Sequence, residues 1–177
     1  MKKISGFTLI ELVMVIVILA ILAVAIAPKF VDLTAEAKSA VLKDLAAKLR
    51  TAVNLALVKD QLQGGNGDPI DYNGNTVTFI AGNPQPDAGQ MRYLLDLDLP
   101  STTYTPSWST AICQGSAYCI VGNRPFSDTS LPSIAAFTSG TGVFMWPKGY
   151  TLSTCFVYYL NLADGSDAIV GHSVLGC

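Results

Sequence analysis

The feature that most constrains this chain is an apolar run near its N-terminus. Residues 7–27 are 21 residues with one charge, Glu11, and no proline interrupts them before Pro28. At about 1.5 Å of rise per residue, a helix of this length crosses the hydrocarbon core of a bilayer. Lys2 and Lys3 precede the run. The excess of positive charge on this side predicts a cytoplasmic start and export of everything after Pro28.

The single charge in this run, Glu11, is unusual for a membrane span. A carboxylate inside the bilayer costs a few kcal/mol even on forgiving insertion scales. This cost favours a functional role for Glu11 and a partner that eventually neutralises it. A plain single-span anchor with an accidental glutamate is the alternative.

Two other kinds of N-terminal segment fit the run less well. A cleaved secretory signal peptide has an apolar region of about 7–15 residues without an internal acid. Pro28, directly after Ala25-Ile26-Ala27, is also a poor residue to follow a cleavage point. A lipid anchor needs a cysteine near the end of the run, whereas the first cysteine is Cys113. The pattern therefore favours an apolar helix that is retained.

The residues at the start of the run form a more specific motif. A basic leader ends in Gly6, and Phe7 and then Thr8-Leu9-Ile10-Glu11-Leu12 lead into the apolar helix. This arrangement closely resembles the class III leader of bacterial type IV pilins, and the match covers residues 6–30 nearly without gaps.

The resemblance implies processing and assembly steps. A prepilin peptidase would remove residues 1–6 by cutting after Gly6 and would methylate the new amine of Phe7. The helix would first anchor the subunit in the inner membrane, with the N-terminus cytoplasmic and the head periplasmic. An inner-membrane assembly platform would then build copies into an extracellular homopolymer. Glu11 would pair there with the amine of a neighbouring Phe7, near Thr8, because a paired buried charge is tolerable and fixes axial register.

Beyond Pro28 the helix is predicted to continue with a different character. Residues 28–63 carry frequent charges, and Gly64-Gly65-Asn66-Gly67 ends the segment. Pro28 is expected to kink the helix or loosen one turn, because it lacks a donor and crowds the preceding turn. Apolar residues recur at three- and four-residue steps, which predicts one apolar stripe on an otherwise polar, solvent-exposed helix. The residues of this stripe are Val31, Leu42, Leu45, Leu49, Val53, Ala56 and Leu57.

Residues 64–177 are predicted to form one small β-rich head with its own core. An antiparallel sheet packed on the apolar stripe of residues 41–57 would bury both partners. The predicted fold class is therefore α+β, with a long N-terminal helix on a small antiparallel sheet, as in the type IV pilin fold. Turns are predicted at Gly82-Asn83-Pro84, Gly122-Asn123 and similar clusters. Strands are predicted at residues 76–81, 93–99, 118–121, 143–146, 155–160 and 167–174.

Four cysteines lie in the part predicted to be exported: Cys113, Cys119, Cys155 and Cys177. An even number in an oxidising compartment favours two disulfides, and four cysteines allow three pairings. Local pairing is favoured, because Cys113 and Cys119 flank a tight loop with Gly115. The second bridge would then join Cys155, early in a strand, to Cys177.

The cysteines and three shorter motifs indicate which group of type IV pilins the chain resembles. A final cysteine bridged to a late strand resembles the disulfide region of type IV pilins. Residues 27–30, 118–125 and 143–150 are similar to the mannose-sensitive haemagglutinin (MSHA) pilins of aquatic gammaproteobacteria. That resemblance implies a surface filament for attachment and biofilm formation. The alternatives are a pseudopilin of type II secretion and a minor pilin that acts as a tip adhesin.

The composition of the head disfavours other functions. It has eight aspartates, no glutamate and three basic residues, and without Lys2 and Lys3 the formal charge of the chain falls from −2 to −4. Nucleic acid is therefore not an expected partner. With one histidine, His172, and no close cysteine pair, neither a metal site nor a cofactor is expected. No phosphate loop, nucleotide fingerprint or nucleophile elbow indicates an enzyme.

Two groups of residues have an ordinary and a functional interpretation. Asp164 and Asp167 are interpreted as a solvated turn, because two carboxylates are too few to hold calcium. Trp108 and Trp146 are interpreted as packing residues rather than a sugar-stacking platform.

Overall fold

The computed structural model describes residues 7–97, 112–114, 117–125 and 139–177, and the side chains in these ranges except those of residues 27–32. The chain divides into two compact units, Met1–Lys38 and Ser39–Cys177. The described residues form two helices and eight strands: α1 (Leu9–Leu62), β1 (Ile70–Tyr72), β2 (Asn75–Val77), β3 (Phe79–Ile80), β4 (Asn83–Pro84), α2 (Ala88–Leu94), β5 (Tyr118–Pro125), β6 (Thr141–Pro147), β7 (Phe156–Asn161) and β8 (Ile169–Ser173).

Helix α1 is a single α-helix of 54 residues. Its helical backbone continues through Pro28. The expected kink or loosened turn at Pro28 falls among residues 27–32, whose side chains lie outside the described part of the chain, and it stays a prediction. In the first unit, every described side chain of residues 7–26 is exposed. Within it, Leu9–Ile26 is long and apolar enough to cross a membrane.

In the second unit, one face of α1 packs against the head. Seven of its residues, spaced three and four apart, share a hydrophobic core with β-strand residues such as Ile120, Val143 and Tyr159. This spacing keeps the apolar side chains on one side of the helix. The predicted α+β layout is confirmed, although Val41, at the start of the predicted stripe, is 47% exposed. The seven are Leu42, Leu45, Ala46, Leu49, Ala52, Val53 and Ala56.

The sheet that covers this face of α1 has four strands in the order β5-β6-β7-β8, and each neighbouring pair is antiparallel. Two small antiparallel pairs, β1 with β2 and β3 with β4, precede it in the chain. The four strands contain most of the residues predicted at 118–121, 143–146, 155–160 and 167–174. The β-rich runs between turn clusters therefore predicted these four strands to within a few residues.

The turn predicted at Gly122-Asn123 is wrong, because these residues form a β-bulge inside β5. The register of β5 against β6 shifts between Val121 and Arg124, and Asn123 has φ of 52°. The Asn123 N–H donates to the Pro86 carbonyl at 2.6 Å, so the strand bends around the segment that starts α2. A Cβ at Gly122 would lie 2.3 Å from the Ala88 nitrogen, which explains the glycine.

The strand predicted at residues 93–99 is also wrong where the structure describes it, because residues 93 and 94 belong to α2. Asp87 caps this helix, and its Oδ1 accepts the Gly89 and Gln90 N–H groups at 2.9 and 3.1 Å. Such a cap satisfies donors that a helix start leaves open. Met91 and Leu94, three residues apart, lie on one face of α2, and both are buried. Residues 98 and 99 lie outside the described residues.

The strand predicted at residues 76–81 divides into β2 and β3 at Thr78. The Thr78 N–H donates to Gln90 Oε1 at 2.9 Å, and its hydroxyl donates to Gln85 Oε1 at 2.7 Å. These side-chain bonds replace the bonds of a continuous ladder. The two strands therefore pair with different partners, β1 and β4.

Candidate functional site

The candidate site begins at the first turn of α1, where Thr8 and Glu11 bond reciprocally. The Thr8 N–H and hydroxyl donate to Glu11 Oε2 at 2.9 and 2.7 Å, and the Glu11 N–H approaches Thr8 Oγ1 at 3.4 Å. A threonine followed three residues later by a glutamate is a capping box, which satisfies open donors at a helix start. This capping role of Thr8 was not predicted, although the Thr-x-x-Glu spacing signals it.

The capping box bears on the prediction that the Glu11 carboxylate needs a neutralising partner. In the single subunit the carboxylate already has a partner, because Thr8 donates to it twice. Both bonds go to Oε2, and Oε1 accepts no hydrogen bond from the described residues. Thr8 is not a cation, so the negative charge of Glu11 is stabilised but not neutralised. The arrangement leaves one carboxylate oxygen available for a positive group.

Phe7 lies beside this capping box with 80% of its surface exposed. Gly6, the predicted residue before the cleavage point, lies outside the described residues. The predicted assembly residues Phe7, Thr8 and Glu11 are therefore brought together at the helix start by their proximity in sequence. Pro28, which was predicted as an assembly residue together with Thr8 and Glu11, is more than four turns further along α1.

The helix residues that follow this turn, up to Ile26, form an apolar surface. All described side chains from Phe7 to Ile26 are exposed, and Glu11 is the charged residue among them. Apolar patches on soluble monomers rarely exceed a few hundred Å². A helix that is apolar all round is buried in a membrane or in a protein core. Residues 7–26 therefore need lipid or other helices around them.

In the second unit, α1 carries a further apolar stripe that was not predicted from the sequence. Leu55, Val58 and Leu62 are 53%, 55% and 84% exposed. Each follows a buried core residue by nine residues, which is two and a half helical turns. These three side chains, named here the outward stripe, therefore lie opposite the face that packs on the head. In the second unit, α1 therefore has exposed apolar side chains outside its core face as well as buried ones on it.

The cysteines form two disulfides, Cys113–Cys119 and Cys155–Cys177, which is the local pairing that the sequence favoured. Cys155 directly precedes β7, and Cys177 is the last residue of the sequence. Two further bonds hold the same tail. The Gly176 N–H donates to the Thr154 carbonyl at 3.0 Å, and the Tyr150 hydroxyl donates to the Cys177 carbonyl at 2.9 Å.

The two bridges are expected to differ in how much they stabilise the head. Cys155–Cys177 spans 22 residues and Cys113–Cys119 spans 6. In the chain-entropy model the longer loop contributes about 3 kcal/mol and the shorter about 2. We expect the double alanine variant of Cys155 and Cys177 to unfold at lower denaturant than that of Cys113 and Cys119. Unfolding of the detergent-solubilised chain measures this, and the reverse order would contradict the prediction.

The turn at Asp164 is closed by the protein's own donors. Asp164 Oδ1 accepts the Ser166 N–H at 2.9 Å and its hydroxyl at 2.5 Å, and these bonds lower the pKa of Asp164. The buried Asn83 side chain binds the same loop through the Ser166 carbonyl, at 2.7 Å, and the Ala168 N–H, at 3.0 Å. Asp167 is exposed. No three potential metal ligands cluster among the described residues.

The remaining residues that the sequence analysis singled out lie apart from the helix start. Trp146 is 3% exposed in a second hydrophobic cluster, with Phe144 and Phe156. A buried indole cannot stack on a sugar in solvent. His172 is exposed in β8. Trp108 lies outside the described residues.

Comparison with known proteins assigns the N-terminal motif. Residues 1–27 match the family model of the prokaryotic N-terminal methylation motif. A curated relative, the type IV narrow pilus major component PilA5 of Thermus thermophilus, is 49% identical over 55 residues, which are 31% of this chain and 47% of the relative. The chain thus spans about half the length of this relative. No solved structure matches the chain. The motif and the relative support a type IV pilin.

Proposed function

We propose that this protein is the structural subunit of a type IV pilus of the MSHA-like kind, which polymerises through its N-terminal helix into a surface filament for attachment and biofilm formation. One observation carries the proposal. The methylation motif of residues 1–27 includes the start of α1, and every side chain of residues 7–26 is exposed on a surface that is almost entirely apolar. Such a surface fits a subunit that passes from the membrane into a bundle of identical helices.

The processing step in this proposal is cleavage after Gly6 by a prepilin peptidase, followed by methylation of the Phe7 amine. The leader is residues 1–6, the long helix is residues 7–63 and the head is residues 64–177. The capping box lies wholly after the cut. Cleavage therefore creates a cationic amine without disturbing the bonds between Thr8 and Glu11.

The assembly step uses this new amine. Glu11 Oε2 keeps its bonds to Thr8, and Oε1 receives the Phe7 amine of an adjacent subunit. Breaking a buried ion pair by removing one partner costs about 3–5 kcal/mol. A subunit that docks at the wrong height leaves both charges unpaired. The pair therefore selects one axial register, and Thr8 acts as a positioning residue for the carboxylate.

The outward stripe supports the same mode of assembly in the second unit. Leu55, Val58 and Leu62 are apolar and uncovered on the helix face opposite the head core. The charged pair on that side of α1, Asp44 and Lys48, is joined at 2.9 Å and so brings little net charge. Helices of other copies would cover the stripe by the ridge-and-groove packing that apolar helix faces favour.

In this proposal the subunit waits in the inner membrane, with residues 1–6 cytoplasmic and the head periplasmic. An inner-membrane assembly platform extracts it into the fibre, and the pilin itself catalyses nothing. Lys2 and Lys3 support this orientation, because positive charge before a span favours the cytoplasmic side.

Quantifying the chain in sheared surface protein and in membranes tests this role. A major pilin dominates the sheared fraction, which is the expected result. A trace amount there would favour a minor pilin or tip adhesin. Retention in the envelope without surface fibres would favour a type II secretion pseudopilin and contradict the proposal.

A further inference from the structure

We propose that Asn73 is a site of spontaneous deamidation in the head, and that the buried Asp60 carboxylate protects Asn66 from the same reaction. The sequence contains two Asn-Gly pairs, Asn66-Gly67 and Asn73-Gly74, and both asparagines are exposed. Deamidation is easiest before glycine, because a residue without a side chain lets its backbone nitrogen approach closely. The two pairs therefore share one local chemistry and differ in how the fold holds them. The reaction is independent of the proposed function, because it needs only a single folded subunit.

Deamidation begins when the backbone nitrogen of the glycine loses its proton to solvent and attacks Cγ of the preceding asparagine. A new N–Cγ bond forms, the Cγ–Nδ2 bond breaks, and the Nδ2 group takes a proton from solvent and leaves as ammonia. Water then opens the succinimide ring on either side, which gives aspartate or isoaspartate without oxidation or reduction. An acceptor that binds the glycine N–H slows the first step, because the proton must leave and the nitrogen must move toward Cγ.

At the first pair, the Gly67 N–H is held by a buried carboxylate. It donates to Asp60 Oδ1 at 3.1 Å, and Asp60 is 4% exposed. The Asp60 carbonyl also accepts the Gly65 N–H at 2.9 Å, so one residue holds the loop on both sides of Asn66. A charged acceptor that is shielded from water bonds strongly and repels the anionic nitrogen that the reaction requires. Asn66 is therefore protected although its own side chain is exposed.

At the second pair, the Gly74 N–H is held less firmly. It donates to Asp71 Oδ1 at 3.1 Å, but Asp71 is exposed, so water competes for both atoms. Asn73 and Gly74 form the two-residue turn between β1 and β2, and their φ angles of 52° and 79° are those of a type I′ hairpin. Each strand has three residues, and short two-stranded hairpins open easily at the tip. Opening there frees the nitrogen to reach Cγ of Asn73.

Deamidation of Asn73 changes both the charge and the shape of this turn. Each event adds one negative charge to a head that already has eight aspartates, no glutamate and three basic residues. Isoaspartate also adds a backbone carbon to the turn that sets the register of Tyr72 opposite Asn75. The tip of the hairpin therefore becomes more negative and less regular as the protein ages.

Ageing the detergent-solubilised full chain in water enriched in the heavy oxygen isotope tests the assignment. The isotope enters when water opens the succinimide, and fragment-ion mass spectrometry assigns it to one asparagine. A hydrogen bond to a charged group corresponds to roughly a ten- to hundredfold effect. In the folded chain we therefore expect Asn73 to convert at least about tenfold faster than Asn66, and in urea at a similar rate. Equal rates in the folded chain would overturn the proposal, as would an unlabelled Asn73 under conditions that label it in urea.

Replacing the buried acceptor tests the cause of the protection. Asp60→Ala removes the partner of the Gly67 N–H and should raise the rate at Asn66 about tenfold without changing the rate at Asn73. Asp68→Ala is the matched control, because it removes an exposed carboxylate two residues from Asn66 that does not hold this N–H. An unchanged rate at Asn66 in folded Asp60→Ala would refute the role of Asp60. The comparison of the folded chain with the chain in urea needs no substitution, so it measures the protection even where a variant does not fold.

Discussion

Replacing Glu11 with valine is expected to leave the subunit exported, cleaved and stable in the membrane, while nearly abolishing fibres made from this variant alone. The substitution removes a charged residue from the apolar run and so favours membrane retention. In the proposed filament it also leaves the Phe7 amine of each neighbour without a partner, at a cost of about 3–5 kcal/mol. Such a loss weakens docking on the order of a hundredfold or more. Immunoblots of sheared and membrane fractions measure the distribution.

Thr8 provides the matched controls for this experiment. Thr8→Ser keeps the hydroxyl that donates to Glu11 and should retain most fibres, whereas Thr8→Val removes it and should lower the yield. Residues that act as one unit give non-additive effects. Adding Thr8→Val to Glu11→Val should therefore cause little further loss. Wild-type fibre yield from Glu11→Val alone would show that the carboxylate has no part in assembly.

Replacing Gly6 with leucine is expected to stop maturation altogether. The leader motif places a residue without a side chain directly before the cut, and a bulky side chain there should exclude the peptide bond from the peptidase. The full-length chain should then accumulate in the inner membrane with residues 1–6 still attached. The intact mass of the membrane-extracted protein reports the six retained residues.

Ser5→Ala is the control for this change, because it alters the leader without adding bulk at the cleavage point. It should be processed like the wild type. Normal fibres from Gly6→Leu, or a mature chain that begins after Ala27, would show that the protein follows a different route of maturation.

Patterns with a short period were sufficient to predict most of the fold. The apolar run and the later three- and four-residue spacing predicted α1, whose observed bounds are Leu9–Leu62. Alternating and β-branched runs predicted the core strands, because these strands are buried and their sequence shows it. The cysteine spacing favoured the pairing that the structure contains.

The errors arose where hydrogen bonds outside the strand ladders determine the backbone conformation. Gln85 and Gln90 bind Thr78 and divide a predicted strand, and Asp87 caps a helix in a segment that reads as apolar on both faces. The bulge at Asn123 depends on a bond to Pro86, which is distant in sequence. No local pattern at Thr78 or Asn123 reports such bonds, whereas Asp87 and Gln90 have the spacing of a helix start that was not used.

The candidate site was only partly predictable for a different reason. The motif at Gly6, Phe7 and Glu11 was recognisable, but the capping role of Thr8 was visible only as a spacing that has other uses. The outward stripe was missed because Leu55, Val58 and Leu62 have the same three- and four-residue spacing as the core face but lie on another side of the helix. They became recognisable once the buried face of α1 was known.

The central claim is that the mature subunit begins at a methylated Phe7 and polymerises, and one measurement tests it most directly. Mass spectrometry of fibres sheared from the cell surface reports the N-terminal peptide, its methylation and the abundance of the chain together. The account predicts that this chain is the main component of the fibres and that its first residue is N-methylated Phe7. A chain in surface fibres that starts at Met1, or that starts at an unmethylated residue beyond the apolar run, would contradict it.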